Sequence, residues 1–251
     1  MATRALLYRR PHEPKTLVIS HGSQFFAIRL RRHRRARRYT LRIHPSDREA
    51  ILTMPPRGTL AEAKDFAQRH GAWIAARLGR LPKAAPFQPG TVIPLRGVPH
   101  RIVHRAGSRG TVWAEIRDSG ERILCVAGGL DYVDRRVNDF LKREARKDLQ
   151  RSAETHAAEL GVKVKRLSIR DQSSRWGSCT SAGSLSFSWR LILAPPYVLD
   201  YLAAHEVAHL VEMNHSARFW RVCGKICPSM ERAKKWLDTC GNDLHRYGVE
   251  D

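Results

Sequence analysis

Four side chains in the stretch Tyr201–Trp220, YLAAHEVAHLVEMNHSARFW, have the types and spacing of a metal centre: His205, Glu206, His209 and His215. On an α-helix, residues i and i+4 share a face, so His205 and His209 can present two imidazoles to one ion. Glu206 is rotated from His205 by roughly 100° and does not compete as a ligand. It can reach a water on the open side of the ion, as the general base of a metal hydrolase does. His215 follows His209 by six residues, too far round for the same straight helix, so the chain must turn between them. Asn214 tolerates the left-handed conformation of helix ends and is the expected turning point. Three neutral imidazoles with a fourth position open form the catalytic zinc pattern, in which the bound water's pKa falls to ~7.

The bare HExxH string arises by chance in about 3% of chains of this composition, so its context matters. From Tyr197 to Val211 the sequence is apolar nearly all round, which is the signature of a buried helix. Two His and a Glu inside such a helix are costly unless paired; one cation satisfies all three, whereas three separate core partners would otherwise be needed. A purely structural zinc site fits poorly, because such sites have four protein ligands, mostly Cys. A hydrolase of this kind also needs a donor for charge developing on the attacked oxygen. Arg175, in the polar loop Asp171–Cys179 (DQSSRWGSC), is the candidate. It could equally brace that loop against Asp171 or the C-terminal segment. Trp176 and Trp189 read as packing. Ser174, Ser178 and Cys179 are not needed as nucleophiles where water attacks. Each ligand His should hand its second nitrogen to an acceptor, for which Asn214, Glu212 and backbone carbonyls all stay open.

The elements that position these groups follow from periodicity and turn residues. Thr16–Ile19 and Phe25–Leu30 read as strands, and Tyr39–Pro45 alternates as a half-buried strand whose hairpin partner is Glu49–Met54. Thr59 caps a helix expected to run to about Gly79. After the Pro-rich stretch 82–90 come four strand candidates, Thr91–Leu95, His100–His104, Thr111–Ile116 and Arg122–Val126, read as an antiparallel meander. No internal repeat is visible. Asp131 opens a long helix to about Leu160, closed by Gly161. Val162–Ile169 and Ser184–Leu193 read as strands, and Pro195-Pro196 start the metal helix. Ser216–Cys227 and Pro228–Gly241 read as the last helices.

Net charge is +21 over 251 residues, which speaks to anionic partners rather than to fold. Seven Arg lie between Arg29 and Arg38; they are either a phosphate-binding footprint or a solvated hairpin loop. Five scattered Cys argue against a disulfide framework and for a reducing compartment. Cys223, Cys227, Cys240 and His245 lack the spacing of a second zinc site, so free thiols are expected. The first twenty residues lack the apolar run of a signal peptide, and no stretch approaches the ~20 apolar residues of a membrane helix, so a cytoplasmic protein is expected.

The strings RWGSC (Arg175–Cys179), WRLILAPPYVLDYLAAHEVAH (Trp189–His209) and MNHSARFW (Met213–Trp220) together resemble the YgjP-like metallopeptidase-domain family, itself similar in pattern to SprT-like zinc peptidases. The likeness is densest over about residues 130–250; RRARRYTLRIHP (Arg34–Pro45) and the Trp73 helix look like the family's N-terminal part. The resemblance implies ligands at His205, His209 and His215, a base at Glu206, and a minimal zincin core. Glu212 stands where metzincin proteases of the same HExxHxxxxxH spacing carry Gly, so the turn to the third ligand is built differently here.

The expected fold class is α+β: a minimal zincin-like catalytic core, made of a small sheet, the metal-binding helix and supporting helices, with an N-terminal β-rich extension. The expected segments are a tail at 1–24, a basic β-hairpin plus helix at 25–84, a β-meander at 85–130 and the zincin-like catalytic domain at 131–251. The expected function is a cytoplasmic zinc-dependent metallohydrolase, a metallopeptidase with one Zn2+ per chain and a peptide or protein substrate. Two alternatives stay open. One is hydrolysis of nucleotide phosphoanhydrides by the same centre. The other is a nucleic-acid-associated protein or DNA-linked protease acting through Arg29–Arg38, as the resemblance to SprT-like peptidases of DNA-bound proteins implies. The sequence does not fix the oligomeric state.

Overall fold

The computed structural model describes residues 14–172 and 174–249. Residues 1–13 of the expected tail and Ser173 of the polar loop lie outside the described residues. The chain divides after Leu81 into two compact units.

The first unit consists of β1 (Thr16–His21), β2 (Gln24–Arg32), β3 (Thr40–His44), β4 (Glu49–Met54), α1 (Leu60–Arg69) and α2 (Gly71–Gly79). The strands form one sheet in the order β1-β2-β4-β3. The strand expected at Thr16–Ile19, within the segment 1–24, is present as β1 and runs two residues further, pairing along its whole length with β2. β2 and β4 run parallel, while β3 pairs antiparallel with β4 as the Pro45–Arg48 hairpin requires. Ile19, Ile28, Ala50, Leu52 and Met54 from the sheet pack against Ala63, Ala67 and Ile74 from the helices. Thr59 and Glu62 form a reciprocal capping box at the start of α1. The single helix expected from Thr59 to Gly79 is two helices. His70 breaks it: its ring Nδ1 bonds the Phe66 carbonyl at 2.8 Å. Gly71 follows, a poor helix former, where a Cβ would crowd the His21 side chain at 3.1 Å.

The second unit begins with β5 (Val92–Leu95), β6 (Val98–Arg105), β7 (Val112–Ile116) and β8 (Arg122–Ala127), followed by the long α3 (Val133–Leu160). Then come β9 (Arg166–Arg170), β10 (Gly177–Cys179), β11 (Ser184–Ser188), α4 (Pro196–Ala208), α5 (Ala217–Ile226) and α6 (Met230–Cys240). The first four strands are not an antiparallel meander. Their order is β5-β6-β8-β7, with β6 and β8 parallel. The reason is visible in β8 (RILCVA), which is buried at five successive positions; a strand covered on both faces belongs inside a sheet, so β7, with its exposed Glu115 and Ile116, takes the edge. Strand order and sense repeat those of the first sheet, a duplication of topology that the sequence does not display.

Arg96 and Gly97, both at positive φ (53° and 75°), make the tight β5–β6 turn. The Arg96 side chain then grips α3 through Asp148 (2.6 and 3.0 Å) and Glu144 (2.8 Å). A third sheet, β10-β11-β9, pairs β11 parallel with β9 and antiparallel with β10. The expected strand 184–193 stops at Ser188, whose hydroxyl accepts from the Arg190 N–H and starts a buried 3₁₀ turn, Trp189–Leu193. One core runs through this unit, from Phe87, Ile93 and Leu124 through Leu141 and Leu149 to Trp189, Leu202 and Phe219. The segments 85–130 and 131–251 share it. The protein is thus a mixture of α and β, with six α-helices among the described residues. None of its described helices is long and apolar enough to cross a membrane.

Candidate metal centre

α4 is the element that carries the first part of the site. It starts at Pro196 without a side-chain cap, and is fixed to α3 instead: Asp200 accepts from the Ser152 hydroxyl at 2.5 Å and pairs with His156 Nε2 at 2.9 Å. Nine of its residues are buried, Glu206 among them. The helix closes at Ala208, earlier than the apolar run to Val211 indicates, and His209 is its cap residue. The next N–H groups turn back onto Val207 and Ala208.

The turn to His215 differs from the expected one. The only non-glycine residues at positive φ among those described are Arg48 and Arg96, so Asn214 is not left-handed. Its Oδ1 instead accepts from the Ser216 N–H at 2.9 Å. The Ser216 hydroxyl in turn accepts from the Phe219 N–H at 3.3 Å, opening α5. Two consecutive side-chain caps therefore do what a left-handed residue does elsewhere.

These elements bring His205, His209 and His215 together: one ring nitrogen of each lies within 4.8 Å of the others. His205 Nε2 and His215 Nε2 stand 3.1 Å apart. The second nitrogens of His205 and His209 are occupied. His209 Nδ1 faces the Glu212 carbonyl at 3.0 Å, and His205 Nδ1 faces the Tyr201 hydroxyl at 3.4 Å. Phe219, fully buried, packs its ring 4.9, 4.5 and 4.8 Å from the three imidazoles. Trp220 stacks on His215 at 5.5 Å. Burial pushes the His205 imidazole down to about 4, helped by the neighbouring His209, His215 and Lys234. Burial likewise lowers His209. These two rings, held neutral, keep their lone pairs, and with the His215 nitrogen beside them the trio fits a divalent d-block ion such as zinc. No other group of three or more His, Cys, Asp or Glu among the described residues has this geometry, and the five Cys are free thiols.

Glu206 is 4% exposed. Burial raises its carboxyl to about 7, with the charge of Arg175 pulling the other way. The segment at Gly177 is an edge strand, β10, rather than a loop, and it lies directly on Glu206. A Cβ at Gly177 would stand 2.8 Å from Glu206 Cγ and closer still to Oε1, so glycine alone fits without displacement. Arg175 opens onto the same cleft of about 400 Å³ as Glu206 and His205, together with Trp176, Tyr201 and Lys234. The bracing considered for Arg175 belongs to Arg190. That side chain is 3% exposed; it holds Asp171 at 2.8 and 3.2 Å and the Leu244 and Tyr247 carbonyls at 3.0 and 2.8 Å.

Sequence reasoning missed Tyr201, Gly177, Phe219 and Lys234. Tyr201 was findable, since it precedes His205 by four residues on one helix face. Phe219, though near in sequence, depends on how α5 docks, and Gly177 and Lys234 lie on elements remote in sequence.

No curated protein matches this chain. Among solved structures, the metallopeptidase zymogen abylysin of Pyrococcus abyssi is similar at 26% identity, covering 40% of this chain and 99% of that chain with a TM-score of 0.34. The YgjP-like metallopeptidase domain matches residues 37–240, which is most of the sequence, and the chain belongs to that family.

Proposed function

We propose that the chain is a zinc-dependent peptidase whose ligands are His205, His209 and His215 and whose general base is Glu206. The observation that carries this is the convergence of three imidazoles, two of them held neutral by burial, beside a buried carboxyl raised to about 7. His205, His209 and His215 would hold a zinc ion, which would supply Lewis-acid activation of water and of the scissile carbonyl. Glu206 takes the proton of the attacking water and returns it to the leaving amine; a carboxyl near 7 can do both around neutrality. Arg175, on the same cleft, donates to the oxygen on which charge develops. Tyr201 and the Glu212 carbonyl orient His205 and His209 by holding their second nitrogens. The zincin-like reading of the β9–β11 sheet with α4, and a cytoplasmic location supported by the unpaired thiols, belong to the same proposal.

The test is cleavage of an unfolded protein by zinc-loaded wild type, Glu206→Gln and His209→Ala, with metal content measured on each. Glu206→Gln is expected to retain zinc and lose activity, and His209→Ala to lose both. A fully active Glu206→Gln would remove the base assignment. The cations Arg175 and Lys234 on the cleft favour one alternative, hydrolysis of a nucleotide phosphoanhydride. Nucleoside triphosphate cleavage by the same variants, without peptide cleavage, would select it.

A further inference from the structure

A cleft of about 640 Å³ lies within the first unit, lined by the rings of Tyr39, Phe66, His70 and Trp73 together with Arg37 and Arg38. The rings are pre-arranged. Tyr39 donates its hydroxyl to Glu62 at 2.8 Å, and His70 bonds the Phe66 carbonyl through Nδ1. Phe66 sits 5.8 Å from Tyr39 and 4.3 Å from His70, ring centre to ring centre. Trp73, on α2 just after the break at His70, is 38% exposed, with the Arg77 guanidinium 5.8 Å from its ring. An exposed indole among three other rings is surface that a folded chain ordinarily buries.

The arginine run divides into two kinds. Arg29 is consumed internally by Asp47 and Glu49, and Arg32 by the carbonyls of Pro55 and Pro56. Arg37 and Arg38 have no acidic partner among the described residues, and both border the cleft. The charge around them is lopsided as well. Residues 1–81 carry 18 Lys and Arg against five Asp and Glu, whereas the remaining 170 residues carry 27 against 19. The excess positive charge of the protein is therefore concentrated in the unit that holds the aromatic cleft.

We infer that this cleft binds single-stranded nucleic acid, with bases stacked on Trp73 and its neighbouring rings and phosphates held by Arg37 and Arg38. Stacking rings beside unpaired guanidiniums is the combination that single strands require. A duplex keeps its base faces inside its own stack and offers the rings nothing. An acidic peptide would satisfy the two arginines and leave the rings unused. The site stands on residues of the first unit alone and does not depend on the reaction proposed at the histidines.

The experiment is fluorescence anisotropy of a labelled single-stranded 20-mer with the full-length protein over a salt series. Competitors are the unlabelled strand, the duplex of the same sequence and poly-glutamate. Wild type is expected to bind the strand and to release it to the unlabelled strand far more readily than to the duplex or poly-glutamate. Trp73→Ala should weaken binding about tenfold with the salt slope unchanged, and Trp73→Phe should restore most of it, which separates lost stacking from lost folding. Arg37→Gln with Arg38→Gln should lower the slope of log K against log salt by about 1.4. Equal affinity in Trp73→Ala and wild type, or duplex or poly-glutamate competing as well as the strand, overturns the inference. An unchanged slope in the double arginine variant does so too.

Discussion

At the scale of single residues, the position of Glu206 is decided by an atom that is missing. Gly177 lets the backbone of β10 come within contact of the carboxylate, and any side chain there would push it aside. Gly177→Ala should therefore retain zinc yet lose activity about 100-fold, since displacing a catalytic group by an ångström costs that much. The measurement is the turnover of zinc-loaded variant against wild type, with metal content as the control. Full activity would mean that β10 does not hold the base. His205 and His209 are legible as a pair in the sequence because i, i+4 spacing fixes a helical face, and Glu206 as their neighbour on the same helix. Gly177 is not, because nothing local says which distant side chain its backbone will meet.

At the scale of elements, α4 and α5 make the centre together. α4 supplies two imidazoles, and the side-chain caps at Asn214 and Ser216 start α5 so that Phe219 returns beneath all three rings. Phe219→Ala should destabilise the protein by about 4 kcal/mol, the cost of emptying a core aromatic site, and should weaken zinc retention in parallel. Denaturant unfolding and metal titration would show both. Phe219→Leu, which keeps most of the volume, should recover much of each. Stability lost without any change in zinc affinity would reduce Phe219 to packing. The sheet of the second unit teaches a related point. Its strands are visible in the sequence, but their order is not; it follows from β8 needing cover on both faces.

At the scale of the whole molecule, the second unit is closed by one buried guanidinium. Arg190 ties Asp171, before the site, to the carbonyls of Leu244 and Tyr247 near the C-terminus. Burial alone would raise the Asp171 carboxyl, but hydrogen bonding and charge from Arg190 outweigh it and hold the carboxyl below its ordinary value. The unfolded chain then binds that proton more readily than the folded one. The stabilisation is present above the unfolded pKa of about 3.9 and is lost as pH falls through the lower folded value. Asp171→Asn should melt below wild type at pH 7, with the gap closing towards pH 3, as thermal unfolding across that range would record. A gap independent of pH would mean that the charge pair contributes nothing.

What the sequence by itself determined is what local spacing encodes: the buried helix with His205, Glu206 and, at its end, His209, the caps at Thr59 and Gly161, most of the strands, and the family to which the chain belongs. What only the tertiary structure decided is what depends on surfaces meeting: the strand order repeated in two sheets, the glycine against Glu206, the ring of Phe219 under the imidazoles, and the assignment of Asp171 to Arg190 rather than Arg175. The physical reason is the range of the forces involved. Propensity and periodicity act over a few residues, whereas close packing and the pairing of buried charge act between residues that the chain order keeps far apart.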